Sequence, residues 1–291
     1  MGKCEKWSIA YRKRMGADTL INNTATAFIP IPNTWRYWAA DPFLLEHQGN
    51  TYLFAELYDR TALRGVIGCC QLTDSGAGKW QIIINEPFHL SYPFVFSRNG
   101  QVYMIPESFR SGKLLLYRAV DFPFHWEQVR TLADMTAVDS TVIHANGKDY
   151  LLTFRITDGQ AELVLLDLDP DFVPTNPRIL SEKEAPNVRP AGNSFLWEGQ
   201  LVRPTQNCTN GYGCGLNFAR ITRLEGQDYQ ETIFLKLLPS DVAIRGKTTP
   251  EGIHTYNVTE QYEVIDFKEY EFGLVCKLAR AIQLLRRRTG K

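Results

Sequence analysis

Several absences narrow this sequence of 291 residues before any motif is read. Charge of one sign is not in excess: Lys plus Arg and Asp plus Glu both number 32. No global basic field therefore draws the chain to nucleic acid, and none is expected as a partner. No apolar run reaches the length of a membrane-crossing helix. The first thirty residues lack the basic start and apolar stretch of a secretory signal, so the expected location is cytoplasmic. Cysteines are few and wrongly spaced for zinc: Cys4, Cys69, Cys70, Cys208, Cys214 and Cys276 hold no C-x2-C pair. Reduced, partly buried thiols are the expected state, with a Cys208 to Cys214 disulfide the alternative in an oxidising compartment. No G-x-S-x-G, H-E-x-x-H or P-loop pattern occurs, and "GYGCG" at 211 to 215 lacks the strand-to-helix setting of a nucleotide loop.

What the chain does have is a repeat. Four windows align without gaps: "DPFLLEHQGNTYLFAE" from Asp41, "YPFVFSRNGQVYMIPE" from Tyr92, "DSTVIHANGKDYLLTF" from Asp139 and "AGNSFLWEGQLVRPTQ" from Ala191. Their starts lie 51, 47 and 52 residues apart, and a glycine (Gly49, Gly100, Gly147, Gly199) stands eight residues into each. A glycine after a polar residue, between β-rich flanks, predicts a hairpin. "GVIGCCQLT", "KLLLYRAV" and "AELVLLDLD" read as third strands, while Trp80 and Trp126 lead into fourth strands. Four strands per fifty residues is one propeller blade. With a weaker fifth unit from Gly252, the fold class predicted is all-β, a five-bladed β-propeller of four-stranded antiparallel blades. The N-terminal "KWSIAYRK" alternates like a strand and is expected to complete the last blade, leaving no long free edge. A sandwich with chance hairpin similarity is the competing architecture. One propeller domain over residues 1–270 is expected, followed by a short C-terminal helix over 271–291.

A hairpin that turns halfway brings its last residue level with its first, so both lie at one mouth of the ring. The first position carries Asp41, Tyr92, Asp139 and Ala191; the last carries Glu56, Glu107, Phe154 and Gln206, with Arg155 next. Carboxylates gathered at a partly dehydrated mouth repel one another, which raises pKa values and suits general acid/base work. Each acid taken singly could instead cap a turn. Trp38, Tyr92 and Tyr212 interleave with them, beside Asn193, Gln206, Arg155 and Arg189. Aromatic faces among hydrogen-bonding groups suit sugars, although any one ring serves equally as core. The candidate set is therefore Asp41, Asp139 and Glu107 for chemistry, and Trp38, Glu56, Tyr92, Arg155, Arg189, Asn193, Gln206, Tyr212 and His254 for substrate.

On "WAADPFLLEHQGNTYLFAE", "YPFVFSRNGQVYMIPES", "VDSTVIHANGKDYLLTF", "RPAGNSFLWEGQLVRPTQNCTNGYG" and "GIHTYNV", the chain resembles the five-bladed propeller superfamily of glycoside hydrolase family 43. Within it, the resemblance is to the propellers of bacterial formyltransferase-fused proteins and to the N-terminal region of plant glucosamine inositolphosphorylceramide transferase. The resemblance implies a first-blade Asp as general base, a third-blade Asp that orients, and a fourth-blade Glu as general acid. The first two map on Asp41 and Asp139. The third does not, because "VRPAG" puts Arg189 and Pro190 at the acid's place, and arginine cannot release a proton near neutral pH. Glu107 and Glu184 are alternative proton donors. Arg189 suits an anion, such as a sugar acid or the phosphate of a nucleotide sugar or glycolipid, or else an ion pair with Asp139 or Glu107. The resemblance also implies a central calcium ion or water near His254, against a hydrogen-bonded core role for that residue; no cofactor is otherwise required.

The expected function is that of a carbohydrate-active propeller working at a glycosidic bond of a glycan or glycolipid, by hydrolysis or transfer. The alternative is a non-catalytic glycan-binding module or scaffold of polysaccharide or glycolipid biosynthesis. In the tail, Leu274, Leu278, Ile282 and Leu285 recur at helical spacing beside Lys277, Arg280 and Arg286 to Arg288. That pattern fits a helix capping the propeller, or one lying on the anionic inner face of a membrane.

Overall fold

Each repeat folds as a hairpin because its β-rich halves flank a turn that only a few residue pairs allow. At Gln48-Gly49, Asn99-Gly100, Asn146-Gly147 and Glu198-Gly199 both residues have positive φ, 49° to 52° at the first and 71° to 77° at the glycine. This is the type I′ geometry, whose twist matches the flanking strands, and glycine takes its second position without steric cost.

The computed structural model describes residues 3–14, 16, 26–225, 228–271 and 281. Its strands form five antiparallel sheets arranged as the blades of a propeller. Blade 1 contains Tyr37–His47, Asn50–Asp59 and Arg64–Thr73, with Gly76–Ala77 and Gln81–Ile84 both pairing with the third strand. Blade 2 contains Ser91–Arg98, Gln101–Glu107, Leu114–Asp121 and His125–Ala133. Blade 3 contains Ala137–Ala145, Lys148–Thr157, Gln160–Leu168 and Pro174–Ile179. Blade 4 contains Phe195–Trp197, Gln200–Gln206, Leu216–Glu225 and Asp228–Leu237. The third strands and the two Trp-led segments thus fall where their β-rich runs place them.

Blade 5 is composite. Its inner strands are Tyr256–Val258 and Tyr262–Glu271, and its outer ones, Cys4–Lys13 and Ile29–Pro30, come from the N-terminal part of the chain. Cys4–Lys13 pairs residue for residue with Tyr262–Glu271, from Cys4 opposite Glu271 to Lys13 opposite Tyr262, without a bulge. The ring is closed by backbone hydrogen bonds between distant parts of the chain. The buried ion pair of Arg12 with Glu263, 3.1 Å apart, reinforces the seam. Apolar residues pack between successive blades: Ile9 and Val264 of blade 5 meet Leu44, Leu53 and Leu57 of blade 1.

Two expectations fare differently. The C-terminal helix over 271–291 lies outside the described residues, apart from Glu271, which ends the last strand. Cys4 is disulfide-bonded, which corrects the reading of reduced thiols throughout. No sequence spacing signals it, because strand pairing alone brings Cys4 opposite Glu271. Cys69, Cys70, Cys208 and Cys214 are free thiols.

If the N-terminal strand is integral to the ring, Ile9→Ala, at a fully buried position, should cost about 2–5 kcal/mol in urea unfolding. Leu196→Ala, 70% exposed, should cost within about 0.5 kcal/mol. Equal, small effects at both sites would show that the strand is dispensable.

Candidate functional site

The mouth is built by a kink at the start of the inner strands. The ladders slip between Ala40 and Phe43, Ser91 and Phe94, and Val138 and Thr141. At each slip a non-glycine residue has positive φ: Asp41 at 50°, Tyr92 at 42° and Asp139 at 51°. Such a bulge re-aims a side chain and costs about 1–3 kcal/mol of backbone strain. All three side chains bond to other blades rather than to their own. Tyr92 accepts the Gly192 N–H of blade 4 at 2.7 Å, a strut from the second blade to the fourth. Gly192 is itself at φ 140°, and a Cβ there would lie 1.9 Å from the Tyr256 carbonyl oxygen.

Asp41 is held on every side. Its Oδ2 accepts the Tyr92 N–H at 3.2 Å, and its Oδ1 accepts the Thr255 hydroxyl at 3.0 Å. His254 Nε2 is 3.4 Å from Oδ1. Behind them, buried Asp266 accepts the backbone N–H groups of Asp41 at 3.1 Å, His254 at 3.0 Å and Thr255 at 2.9 Å. Asp266 Oδ2 also lies 2.6 Å from His254 Nδ1. Burial pushes Asp41 up and the His254 charge pulls it back, while Asp266 and Asp139 add to the rise, leaving Asp41 at about 6. Burial opposes the charge on His254, but Asp266 and Asp41 outweigh it and raise its pKa.

The donor atoms of Asp41, His254 and Asp266 lie within 4.8 Å of one another, close enough to consider a metal. Calcium, however, takes six to eight oxygen ligands. Here all four carboxylate oxygens already accept hydrogen bonds or lie against the imidazole, while Nδ1, beside Asp266, has no aligned hydrogen-bond partner. As arranged, the histidine offsets one of the two carboxylate charges, and the engaged oxygens fall short of the ligand set calcium takes.

The second half of the mouth centres on Asp139. Its Oδ2 takes a short charge-assisted hydrogen bond from Arg189 Nε and another from Gln206 Nε2 at 3.1 Å. Of the two readings of Arg189, the ion pair with Asp139 is therefore present. The guanidinium also lies 5.4 Å from the Tyr212 ring centre. Glu107 stands against this pair: burial, then Asp139, push it well above the usual carboxylate range, with Arg189 pulling the other way. Glu184 is elsewhere, accepting the Ala161 N–H at 2.5 Å on blade 3.

Glu56 is buried on blade 1, its Oε1 without a hydrogen-bond partner, and burial plus the surrounding acids raise its pKa well above normal. His89 Nε2 lies 3.6 Å from that oxygen. His89 Nδ1 accepts the Gly65 N–H at 2.9 Å, so the ring carries its proton on Nε2, toward Glu56. Burial, with Arg110 and Arg64, lowers His89 to about 4 and keeps it neutral. Trp38 stacks on Tyr58 across the same blade, ring centres 4.6 Å apart. Trp38 and Glu56 thus share one face of the blade, two residues apart along paired strands.

Other sequence candidates are placed differently. Tyr92 is fully buried and its hydroxyl is engaged by Gly192. Arg155 bonds Glu162 on the neighbouring strand. Asn193 donates its N–H to Asn257 and borders a cleft of about 940 Å³ at the hairpin-turn end, with Asn99 and Gly147. Sequence reasoning missed Asp266, Thr255, His89 and Trp7. Trp7 lies over His254, ring centres 4.0 Å apart. None of the four occupies a repeated offset, and no local pattern singles them out.

With this geometry established, comparison with known proteins shows the following. A family model described as glucosamine inositolphosphorylceramide transferase 1, N-terminal, matches residues 27–262. Glucosamine inositolphosphorylceramide transferase 1 of Arabidopsis thaliana is 33% identical over 247 residues, covering 80% of this chain and 31% of the relative. The protein of the same name from Oryza sativa subsp. indica is 31% identical over 236 residues, covering 77% and 31%. The chain thus spans under a third of the length of these relatives. Among solved structures, an α-L-arabinofuranosidase from Podospora anserina superposes with TM-score 0.58 at 11% identity, over 92% of this chain and 98% of that one. The catalytic domain of a GH62 α-L-arabinofuranosidase from Coprinopsis cinerea gives 0.58 at 12%, over 89% and 97%. At such identities these two show the shared five-bladed fold alone. The match over residues 27–262, which takes in four blades and enters the fifth, places this chain in the family of the N-terminal region of glucosamine inositolphosphorylceramide transferase 1.

Proposed function

We propose that this propeller acts at a glycosidic bond of a glycan or glycolipid, with Asp41 as general base and Glu107 as proton donor. One feature carries the reading: two buried carboxyls of a single mouth are pushed upward unequally, Asp41 to about 6 and Glu107, by burial and then Asp139, well above the usual carboxylate range. Pairs of acids separated in this way are how one site performs both halves of acid/base catalysis. In hydrolysis, water gives a proton to Asp41 and its oxygen bonds to the anomeric carbon, while Glu107 protonates the leaving oxygen. In transfer, an acceptor hydroxyl takes the place of water.

Glu107 would then fill a role for which Arg189 is unfit. Arg189 donates a short hydrogen bond to Asp139, and Asp139, after burial, raises Glu107. The half-buried Trp38–Tyr58 stack gives a sugar ring an apolar face to lie on. The family membership and the names of the relatives support a carbohydrate substrate. The second reading, a binding module, is favoured by Arg189 standing where a hydrolase has its acid.

Calorimetry and product analysis on a panel of glycans and nucleotide sugars separate the two. Asp41→Asn and Glu107→Gln should each keep binding within a few-fold and lose about 10²-fold or more in turnover. Binding without product in the wild type would leave only the module.

If Asp41 is the base, kcat/KM should rise as pH climbs through about 6, where Asp41 loses its proton. Asp41→Asn should abolish that rising limb, whatever activity remains. A flat profile between pH 5 and 7 in the wild type would remove Asp41 from the role.

A further inference from the structure

The cluster at the propeller axis is an unusual arrangement for a buried histidine. His254 has only 3% of its side chain exposed, yet both ring nitrogens face carboxylates, Nδ1 to Asp266 Oδ2 at 2.6 Å and Nε2 to Asp41 Oδ1 at 3.4 Å. A neutral imidazole has one N–H and one lone pair. Set between two carboxylates, a lone pair would meet an anion. Nδ1 has no aligned hydrogen-bond partner, so it is by charge that the protonated ring is attracted to both acids. Its flat face is covered by Trp7 at 4.0 Å, tilted by 30°, and Tyr212 meets it edge-on at 5.1 Å. Aromatic faces favour a desolvated cation.

We infer that protonated His254, clamped between Asp41 and Asp266 under Trp7, is the fixed cation of the propeller axis, so that this chain holds Asp41 in place without a metal ion. Asp266 and Trp7 are positioning residues. Asp266 fixes the backbone of Asp41, His254 and Thr255 together with the ring. Trp7 comes from the N-terminal strand, so the strand that closes the ring also completes the site. The claim about the cation stands without the reaction proposed above; its consequence for catalysis rests on Asp41 being the base.

The charges around the ring come from every blade that packs on it. Asp41 of blade 1, Asp266 of blade 5 and Asp139 of blade 3 favour the imidazolium. Against it stand burial itself, Arg189, which lies on Tyr212, and Lys268, whose ammonium is 5.6 Å from the Trp7 ring centre. The net effect raises the pKa of His254 above 6.5. Because the folded value exceeds the unfolded one, the stabilisation from this group is complete below pH 6.5 and is lost as pH rises through the folded value.

The test is ¹⁵N NMR of the histidine rings, with the His254 signals assigned by their loss in His254→Gln. Both His254 nitrogens should still be protonated at pH 6.5, where an ordinary histidine is about half neutral. Asp266→Asn should move that titration to lower pH, and with it any falling limb of kcat/KM. Calcium chloride or a chelator should leave the thermal midpoint of the wild type unchanged to within about a degree. A His254 ring neutral at pH 6.5 would overturn the inference. So would a calcium-induced rise of about 5 °C or more that His254→Gln abolishes. If Asp266→Asn does not fold, the wild-type titration and the calcium arm still decide the matter. Neither uses a substrate, so a propeller that turns nothing over but shows the expected ring protonation would sink the proposed reaction and leave the axial cation standing.

Discussion

The site depends on a backbone constraint: the left-handed residue at the start of the inner strands. Asp41, Tyr92 and Asp139 all carry positive φ where the ladder slips; in blade 4 the equivalent Ala191 does not, and the next residue, Gly192, does, at 140°. In a regular strand these side chains would alternate into the interfaces between blades. The kink turns them to partners on other blades, so each blade contributes a polar group to a shared mouth. Cross-blade bonds then offset the strain. Tyr92 receives the Gly192 N–H, Asp139 receives Arg189 and Gln206, and Asp41 receives Tyr92 and Thr255.

From this follows a division of charge. Four carboxyls, Asp41, Glu56, Asp139 and Glu107, share a poorly hydrated space and cannot all be ionised. Each half of the mouth resolves the conflict in its own way. Around Asp41 the counter-charge is a histidine backed by Asp266, a network with its partners in blades 1 and 5. Around Asp139 it is Arg189, and the neighbouring Glu107 is pushed well above the usual carboxylate range by burial and by Asp139. Glu56, with only neutral His89 for company, is likewise pushed toward its acid form.

Ring closure and site assembly are one event in this fold. The N-terminal strand seals blade 5 along ten residue pairs and at the same time lays Trp7 on His254. Loss of the strand would therefore open the ring and uncover the axis together.

How much of this was written in the sequence depends on whether a feature is local. The hairpins could be read from Gly49, Gly100, Gly147 and Gly199, since a type I′ turn imposes its residue pair within four positions. The blade count followed from their spacing, and the closing strand from the alternation of "KWSIAYRK". Asp41 and Asp139 stood at equivalent offsets in that repeat. What the repeat could not reveal is what each side chain meets across the axis. Tyr92 shares the offset of the two aspartates yet serves as a strut, and Arg155 adjoins the mouth in sequence yet pairs with Glu162. Asp266, Trp7 and His89 hold no repeated offset, because they face the axis or a blade junction through contacts between residues far apart in the chain. Protonation was beyond the sequence for the same reason: a carboxyl's pKa is set by burial and by charges within a few ångströms. The sequence determined the strands, their turns and the number of blades, because these rest on neighbouring residues; only the closed ring decided which acids are charged, since it alone brings five distant segments to one axis.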